Sequence, residues 1–123
     1  MLSEFEALAN QCEGDLAPLG MSLGRACAQA RRGLAVVLQA GEEGGEAILP
    51  VADDFLMGVG YTLMAWAWCR IATAARNLED RELAAQKLTL ARFGLSSLLH
   101  DGSYHWKKVR HLCSPLPWLA PEG

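Results

Sequence analysis

Three histidines and one cysteine near the C-terminal end have side chains of the types that bind zinc: His100, His105, His111 and Cys113. Zinc ligands on a helix recur at i, i+3 or i+4, and structural zinc sites use compact Cys or His pairs. Here the histidines are five and six positions apart, and Cys113 stands two positions after His111. Because this spacing fits neither pattern, the sequence predicts no metal site.

The four cysteines, Cys12, Cys27, Cys69 and Cys113, stand at wide and unrelated intervals. Three lie in apolar helical stretches, where a free thiol behaves as a small buried hydrophobe. One hypothesis is an enzyme that uses a Cys or His side chain in a cleft. The sequence does not exclude it, because a catalytic Cys and its His partner can be distant in sequence and meet only in the folded protein. No motif activates one particular thiol, and the sequence predicts no catalytic residue. The start of the chain lacks a signal-peptide pattern, so a reducing, cytoplasmic location is expected.

Two stretches have some features of phosphate-binding sequences. The run GVGYTL at 58–63 has only two of the glycines of a dinucleotide fingerprint and lies within a helical pattern, so no cofactor site is predicted. The run HWKKVRH at 105–111 mixes cations with an aromatic ring, as single-stranded nucleic-acid binders do, but positive charge near a helix C-terminus accounts for it equally well. The net charge of −3 predicts neither a nucleic-acid nor a membrane partner.

Apolar residues recur every three or four positions through most of the 123 residues, which predicts helices with one buried face each. The first predicted helix begins with a capping box at Ser3 and Glu6, and the second runs from Leu16 to a Gly/Glu-rich loop at 41–45. The third runs from Phe55 to Arg76, and the fourth runs from Glu79 to Leu99 and is ended by Gly102. A short amphipathic piece at 104–112 and an irregular proline-rich tail at 113–123 follow. The prediction is one all-α domain over 1–123, an antiparallel up-down bundle of about four helices.

The third predicted helix is apolar on every side and contains one charge, Arg70. A central helix buried among its neighbours is the favoured interpretation, because a helix that is apolar all round requires cover on several sides. A membrane span, and an exposed face covered by another domain or subunit, are the alternatives. Gly58 and Gly60 are expected to let another backbone come close. Arg70, if buried, needs a carboxylate partner, for which Asp53, Asp54, Glu79 and Asp80 are the candidates.

A set of residues in the third and fourth helices forms a recognisable pattern: Asp54-Phe55-Leu56, Gly60, the aromatic run Ala65-Trp66-Ala67-Trp68-Cys69-Arg70-Ile71-Ala72, then Gln86-Lys87-Leu88-Thr89-Leu90-Ala91-Arg92-Phe93 and the pair Leu98-Leu99. This pattern resembles the C-terminal helical domain of certain long acyl-CoA dehydrogenases, typified by the methylmercaptopropionyl-CoA dehydrogenase type. The resemblance covers roughly residues 52–100 and, more loosely, the first helices.

The resemblance implies an accessory piece of a flavoprotein. FAD and the catalytic base of such enzymes belong to other domains, so the resemblance implies no cofactor in this chain and FAD only in a parent dehydrogenase. The leading hypothesis is a non-catalytic domain for self-association or docking onto a dehydrogenase core. Trp66, Trp68, Trp106 and Arg70 are its candidate interface residues, because tryptophan and arginine often anchor interfaces. The alternative is a freestanding helical module that binds a small apolar ligand or a partner helix.

Overall fold

The computed structural model describes residues 1–113. Within this range the chain is all-α, as predicted, and Cys113 still belongs to the last helix; the rest of the predicted tail, 114–123, lies outside the described residues. The elements are α1 at Leu2–Gln11, a 3-10 turn at Gly14–Leu16, α2 at Ala17–Glu42, a 3-10 turn at Glu46–Val51, α3 at Ala52–Ala75 and α4 at Arg81–Cys113.

The helices run alternately up and down, as predicted. Asp54 at the start of α3 bonds to His105 late in α4, whereas Trp68 late in α3 packs on Gly94 early in α4, so these helices are antiparallel. Gly44 and Gly45 have positive φ angles of 111° and 82° and form the turn after α2. Glycine adopts this backbone conformation without the steric cost that other residues meet.

The predicted capping box at the N-terminus is wrong. Helix α1 begins at Leu2 with Met1 as its N-cap, and no side chain caps it. Ser3 and Glu6 instead bind Arg31 of α2, with Arg31 Nε donating to Glu6 Oε2 at 2.8 Å and Nη2 donating to Ser3 Oγ at 3.3 Å. The polar residues that suggested a cap therefore join α1 to α2.

Gly102 does not end the fourth helix, contrary to the prediction. Helix α4 runs without a break for 33 residues and includes the predicted separate piece at 104–112. Gly102 is buried, and a Cβ atom added there would lie 3.3 Å from Cβ of Tyr61 on α3. The close approach of α3 offsets the roughly 1 kcal/mol that glycine costs inside a helix.

Trp106 belongs to an apolar cluster of the core and is 2% exposed. Its ring lies against Gly33 of α2 and Gly58 of α3, where an added Cβ would come within 2.3 and 2.6 Å of ring atoms. Its indole nitrogen donates to Thr62 Oγ1 at 3.4 Å, and Phe55 meets the ring edge-on. Gly58 therefore makes room for the indole ring of Trp106. The expectation that it lets another backbone come close is wrong.

The prediction that the third helix is buried on all sides is also wrong. Helix α3 has 24 residues, and those that are buried lie along one face: Asp54, Gly58, Thr62, Ala65, Cys69, Ala72 and Ala75. Helices α2 and α4 cover this face, whereas the apolar residues on the opposite side stay exposed. The alternative of an exposed apolar face fits the structure.

Candidate functional site

The side of α3 that points away from the bundle is an exposed apolar surface. We define the outward face of α3 as Asp53, Leu56, Met57, Gly60, Leu63, Met64, Ala67, Arg70, Ile71 and Ala74. Leu56 is 69% exposed, Met64 is 50% exposed and Ile71 is 43% exposed. Isolated exposed apolar residues are ordinary, but a continuous set along one helix is typical of an interaction surface.

Two tryptophans border the outward face of α3. Trp66 stacks on Phe5 of α1, with ring centroids 4.9 Å apart, and Trp68 lies against Gly94 of α4. Both tryptophans are half-buried. Phe93 of α4, which directly precedes Gly94, is 76% exposed. The tryptophans hold α3 against its neighbours and leave the outward face uncovered.

The stretch Glu46–Ala75 is long and apolar enough to span a bilayer by length and composition, and 22% of its most apolar window is buried in the bundle. The same helix places the carboxylate of Asp54 and the hydroxyl of Thr62 on its buried face. Because these polar groups bind His105, Lys108 and Trp106 of α4, this side of α3 packs within the bundle.

The structure separates the four predicted interface residues. Arg70 is exposed, and its guanidinium lies 5.2 Å from the centre of the Trp66 ring, a cation–π contact. The expected pairing of a buried Arg70 with a carboxylate is therefore wrong, since none of the carboxylates in residues 1–113 forms an ion pair with it. Trp66 and Trp68 border the exposed surface, whereas Trp106 lies in the core.

A polar cluster that sequence reasoning missed joins the start of α3 to the end of α4. His105 Nδ1 donates to Asp54 Oδ1 at 2.8 Å, and Lys108 Nζ lies 3.5 Å from Asp54 Oδ2. Tyr61 stacks on His105 at 5.6 Å, and Tyr104 meets it edge-on. The negative charge of Asp54, and secondarily Tyr104, raises the pKa of Lys108. All charges of this cluster are paired, so it serves to join the two helices.

The three buried thiols, Cys27, Cys69 and Cys113, are poor nucleophiles. Burial, with a small contribution from Glu6, raises the pKa of Cys27 to about 11. Burial also raises the pKa of Cys69 to about 12, with Cys12 as the next cause, and raises the pKa of Cys113. A nucleophilic cysteine requires a lowered pKa, because the thiolate is the reactive form. These cysteines are therefore core residues.

The part of the chain that the structure describes contains no group of three or more His, Cys, Asp or Glu side chains placed to share a metal ion. An apolar pocket of about 90 Å³ lies beside Trp106, Phe55 and Leu34. A second pocket, of about 180 Å³, lies between Asp15, Arg76 and Arg81. Both are smaller than the roughly 300–1,000 Å³ of usual ligand sites.

A comparison with models of known protein families identifies the family of this chain. A family model described as "acetyl-CoA dehydrogenase C-terminal like" matches residues 1–116. This chain belongs to the acetyl-CoA dehydrogenase C-terminal-like family. No curated protein and no solved structure matches this C-terminal-like domain. The match extends over α1 and α2 as well as the two helices on which the sequence resemblance rests.

The resemblance implies FAD only for a parent dehydrogenase, and the open hollow beside Tyr61 and His105 does not have the features of an FAD site. This hollow has a volume of about 390 Å³ and is lined by Tyr61, His100, Asp101, Tyr104 and His105. Its wall contains the carboxylate of Asp101 and lacks the glycine-rich turn at a helix N-terminus that binds a pyrophosphate. The outward face of α3 is therefore the candidate functional site of the domain.

Proposed function

We propose that this domain is a non-catalytic docking and oligomerisation module of acyl-CoA dehydrogenases of the methylmercaptopropionyl-CoA dehydrogenase type. The outward face of α3 is its binding surface. The observation that carries the proposal is the exposure of Leu56, Met64 and Ile71, at 69%, 50% and 43%, on one side of a helix whose other side is packed. We also propose a cytoplasmic location, which keeps the four thiols in the free state that they have in the fold.

Burial of the outward face supplies the driving force. Apolar surface removed from water contributes about 25 cal/mol per Å², and association must first overcome a cost of several kcal/mol in lost translational and rotational freedom. A continuous stripe along α3, with tryptophans at its borders, presents this area in one place. The half-buried rings of Trp66 and Trp68 are then anchors at the rim, and Arg70 is the cation at one end.

The test compares two lysine substitutions in the purified chain. Leu56→Lys places a charge on the outward face, whereas Leu38→Lys places one on α2, where the native leucine is 61% exposed. We expect Leu56→Lys to abolish self-association and binding to a purified flavin-binding dehydrogenase core, as measured by sedimentation velocity, and Leu38→Lys to leave both unchanged. Equal behaviour of the two variants contradicts the proposal.

Purification also tests the non-catalytic part of the proposal. We expect the isolated chain to fold without flavin, to be colourless and to show no dehydrogenase activity with acyl-CoA substrates. A yellow protein that retains flavin through gel filtration contradicts this part, whatever the outcome for the outward face.

A helical module that binds a small apolar ligand is the competing function. The apolar pocket beside Trp106 favours it, but about 90 Å³ is less than the roughly 150 Å³ of a cavity that holds benzene. Quenching of Trp106 fluorescence by small apolar compounds tests this function, with Trp106→Phe as the control that identifies the responding ring.

A further inference from the structure

We infer that the partner of the outward face of α3 is the same face of a second copy of this chain, with the two α3 helices antiparallel about a two-fold axis. This inference rests on the proposed docking function and goes beyond it, because it names both the partner and the alignment of the helices. Four observations on α3 lead to it.

The exposed stripe has a heptad pattern with separate columns of large and small residues. Residues 53, 56, 60, 63, 67, 70 and 74 alternate in steps of three and four, which is the spacing of a helix–helix seam. One column holds the large side chains Leu56, Leu63 and Arg70. The other holds Gly60, Ala67 and Ala74, after Asp53 at its start. With the columns side by side, the large residues of one helix can pack against the small residues of a second, antiparallel copy.

One alignment brings both leucines of the seam against small residues of the partner helix. If the two-fold axis passes between Tyr61 and Thr62, Leu63 faces the partner's Gly60 and Leu56 faces the partner's Ala67. The axis repeats both contacts, so four leucines enter four holes. Knobs that fill holes in this way are how paired helices pack, and a two-fold interface must be self-complementary in this sense.

The same alignment pairs the charges at the two ends of the seam. Asp53 then faces the partner's Arg70, again twice. Within residues 1–113, the carboxylate of Asp53 forms no ion pair or side-chain hydrogen bond, and Arg70 has only the ring of Trp66 beside it. Opposite charges across an interface fix the alignment of paired helices.

Gly60 has no role within the monomer. A Cβ atom added to Gly60 would meet no atom within 4 Å, whereas one added to Gly58 or Gly102 would meet a packed aromatic residue. Glycine inside a helix lowers stability, so it is expected where a neighbour comes close. In the proposed pair that neighbour is Leu63 of the partner subunit.

The area of the pair is sufficient for a specific interface. Helix α3 has 24 residues and is therefore about 36 Å long. Pairing along this length buries on the order of 1,000 Å² in total, which reaches the lower limit for specific complexes. The dimer is therefore expected to dissociate on dilution.

The first experiment measures the mass of the purified chain in solution over a range of concentrations by sedimentation equilibrium. We expect a concentration-dependent shift from 13.3 kDa toward twice that mass. Gly60→Leu fills the hole, and we expect the dissociation constant to rise by a factor of at least ten. Gly24→Leu is the matched control, because Gly24 lies inside α2 and an added Cβ there also meets open space. We expect no change in dimerisation for this control.

The second experiment tests the alignment by charge reversal. Asp53→Arg and Arg70→Asp each place like charges opposite one another, so each weakens the dimer, and the double variant restores it. The two residues are 17 positions apart on one helix, about 26 Å, too far for a rescue within one chain. Recovery to within a factor of three of the original dissociation constant supports the antiparallel alignment.

The other outcomes are distinct. A dimer that Gly60→Leu disrupts but the double reversal does not restore overturns the alignment and leaves the outward face as the interface. A chain that stays monomeric but binds a dehydrogenase core through Leu56 overturns this inference and leaves the proposed function intact. A dimer that neither Gly60→Leu nor Leu56→Lys affects overturns both this inference and the proposed function.

A lipid surface is the remaining possible partner. Cosedimentation of the monomer with phosphatidylcholine vesicles, lost in Leu56→Lys, identifies that partner and also overturns the inference.

Discussion

The imidazole of His105 donates a hydrogen bond from Nδ1 to Oδ1 of Asp54 at 2.8 Å and so joins the end of α4 to the first turn of α3. The two side chains are 19% and 12% exposed. Asp54 lies near the positive N-terminal end of α3, where a carboxylate is stabilised by the helix dipole. One carboxylate thereby stabilises the start of α3 and also joins it to a residue of α4 that lies 51 positions further along the sequence.

Asp54→Ala is expected to lower the free energy of unfolding by about 1–3 kcal/mol, because it leaves the largely buried His105 without its acceptor. Urea denaturation followed by circular dichroism measures the change. Asp101→Ala is the control, since it removes an exposed carboxylate from α4, the helix that contains His105, and is expected to change stability by less than about 0.5 kcal/mol. A similar loss in both variants would show that the Asp54–His105 bond contributes little.

Gly58→Ala is expected to destabilise the chain by about 1–3 kcal/mol, because its Cβ would lie 2.6 Å from the Trp106 ring in a packed core. Gly24→Ala meets no neighbour and is expected to stabilise by up to about 1 kcal/mol through helix propensity. Thermal unfolding of both variants measures this difference. A neutral Gly58→Ala would mean that Trp106 moves at little cost.

Acidification is expected to weaken the contact between α1 and α2. The hydrogen bond from Arg31 lowers the pKa of Glu6 below its ordinary value of 4.5. A carboxyl with a lowered pKa in the folded state contributes stability that is complete above 4.5 and is lost as the pH falls through the folded-state pKa. Melting temperatures of the wild type and Glu6→Gln, measured between pH 7 and pH 2, are expected to converge at the acid end. A constant difference across this range would contradict the contribution of this pair.

Alkaline pH is expected to destabilise the fold through Cys27. Burial raises the pKa of Cys27 to about 11, whereas the unfolded thiol ionises at about 9.0. Between these values the unfolded state binds fewer protons, so stability falls as the pH rises from 9 toward 11. Urea denaturation of wild type and Cys27→Ala across this window isolates the thiol, since other ionisations are common to both. Parallel curves would show that the pKa of Cys27 is not raised in the fold.

The helical class, the up-down order and the buried stripe of α4 could be predicted from the sequence. Ala84, Ala91, Leu95 and Leu98 recur at helical spacing, and all four are buried. The loop glycines Gly44 and Gly45 marked the end of α2 correctly. These features depend on local periodicity and on turn residues, whose effect on the backbone does not require distant contacts.

The burial of α3 could not be predicted in the same way. In a helix that is apolar on every side, no face is more hydrophobic than the others, so the sequence pattern does not show which face packs against α2 and α4. The heptad of Leu56, Gly60 and Leu63 was a signal for the outward face, but the covered face was equally apolar. Gly102 was misjudged for a related reason, since only the position of Tyr61 shows that a glycine there permits close packing.

By itself the sequence determined that this chain folds as helices with apolar stripes, because side chains three and four positions apart share a helix face whatever surrounds them. Only the tertiary structure decided that Asp54 meets His105, that Trp106 fills the space left by Gly33 and Gly58, and that Arg70 stays at the surface. These outcomes depend on how whole helices pack, and packing brings together residues that no local pattern connects.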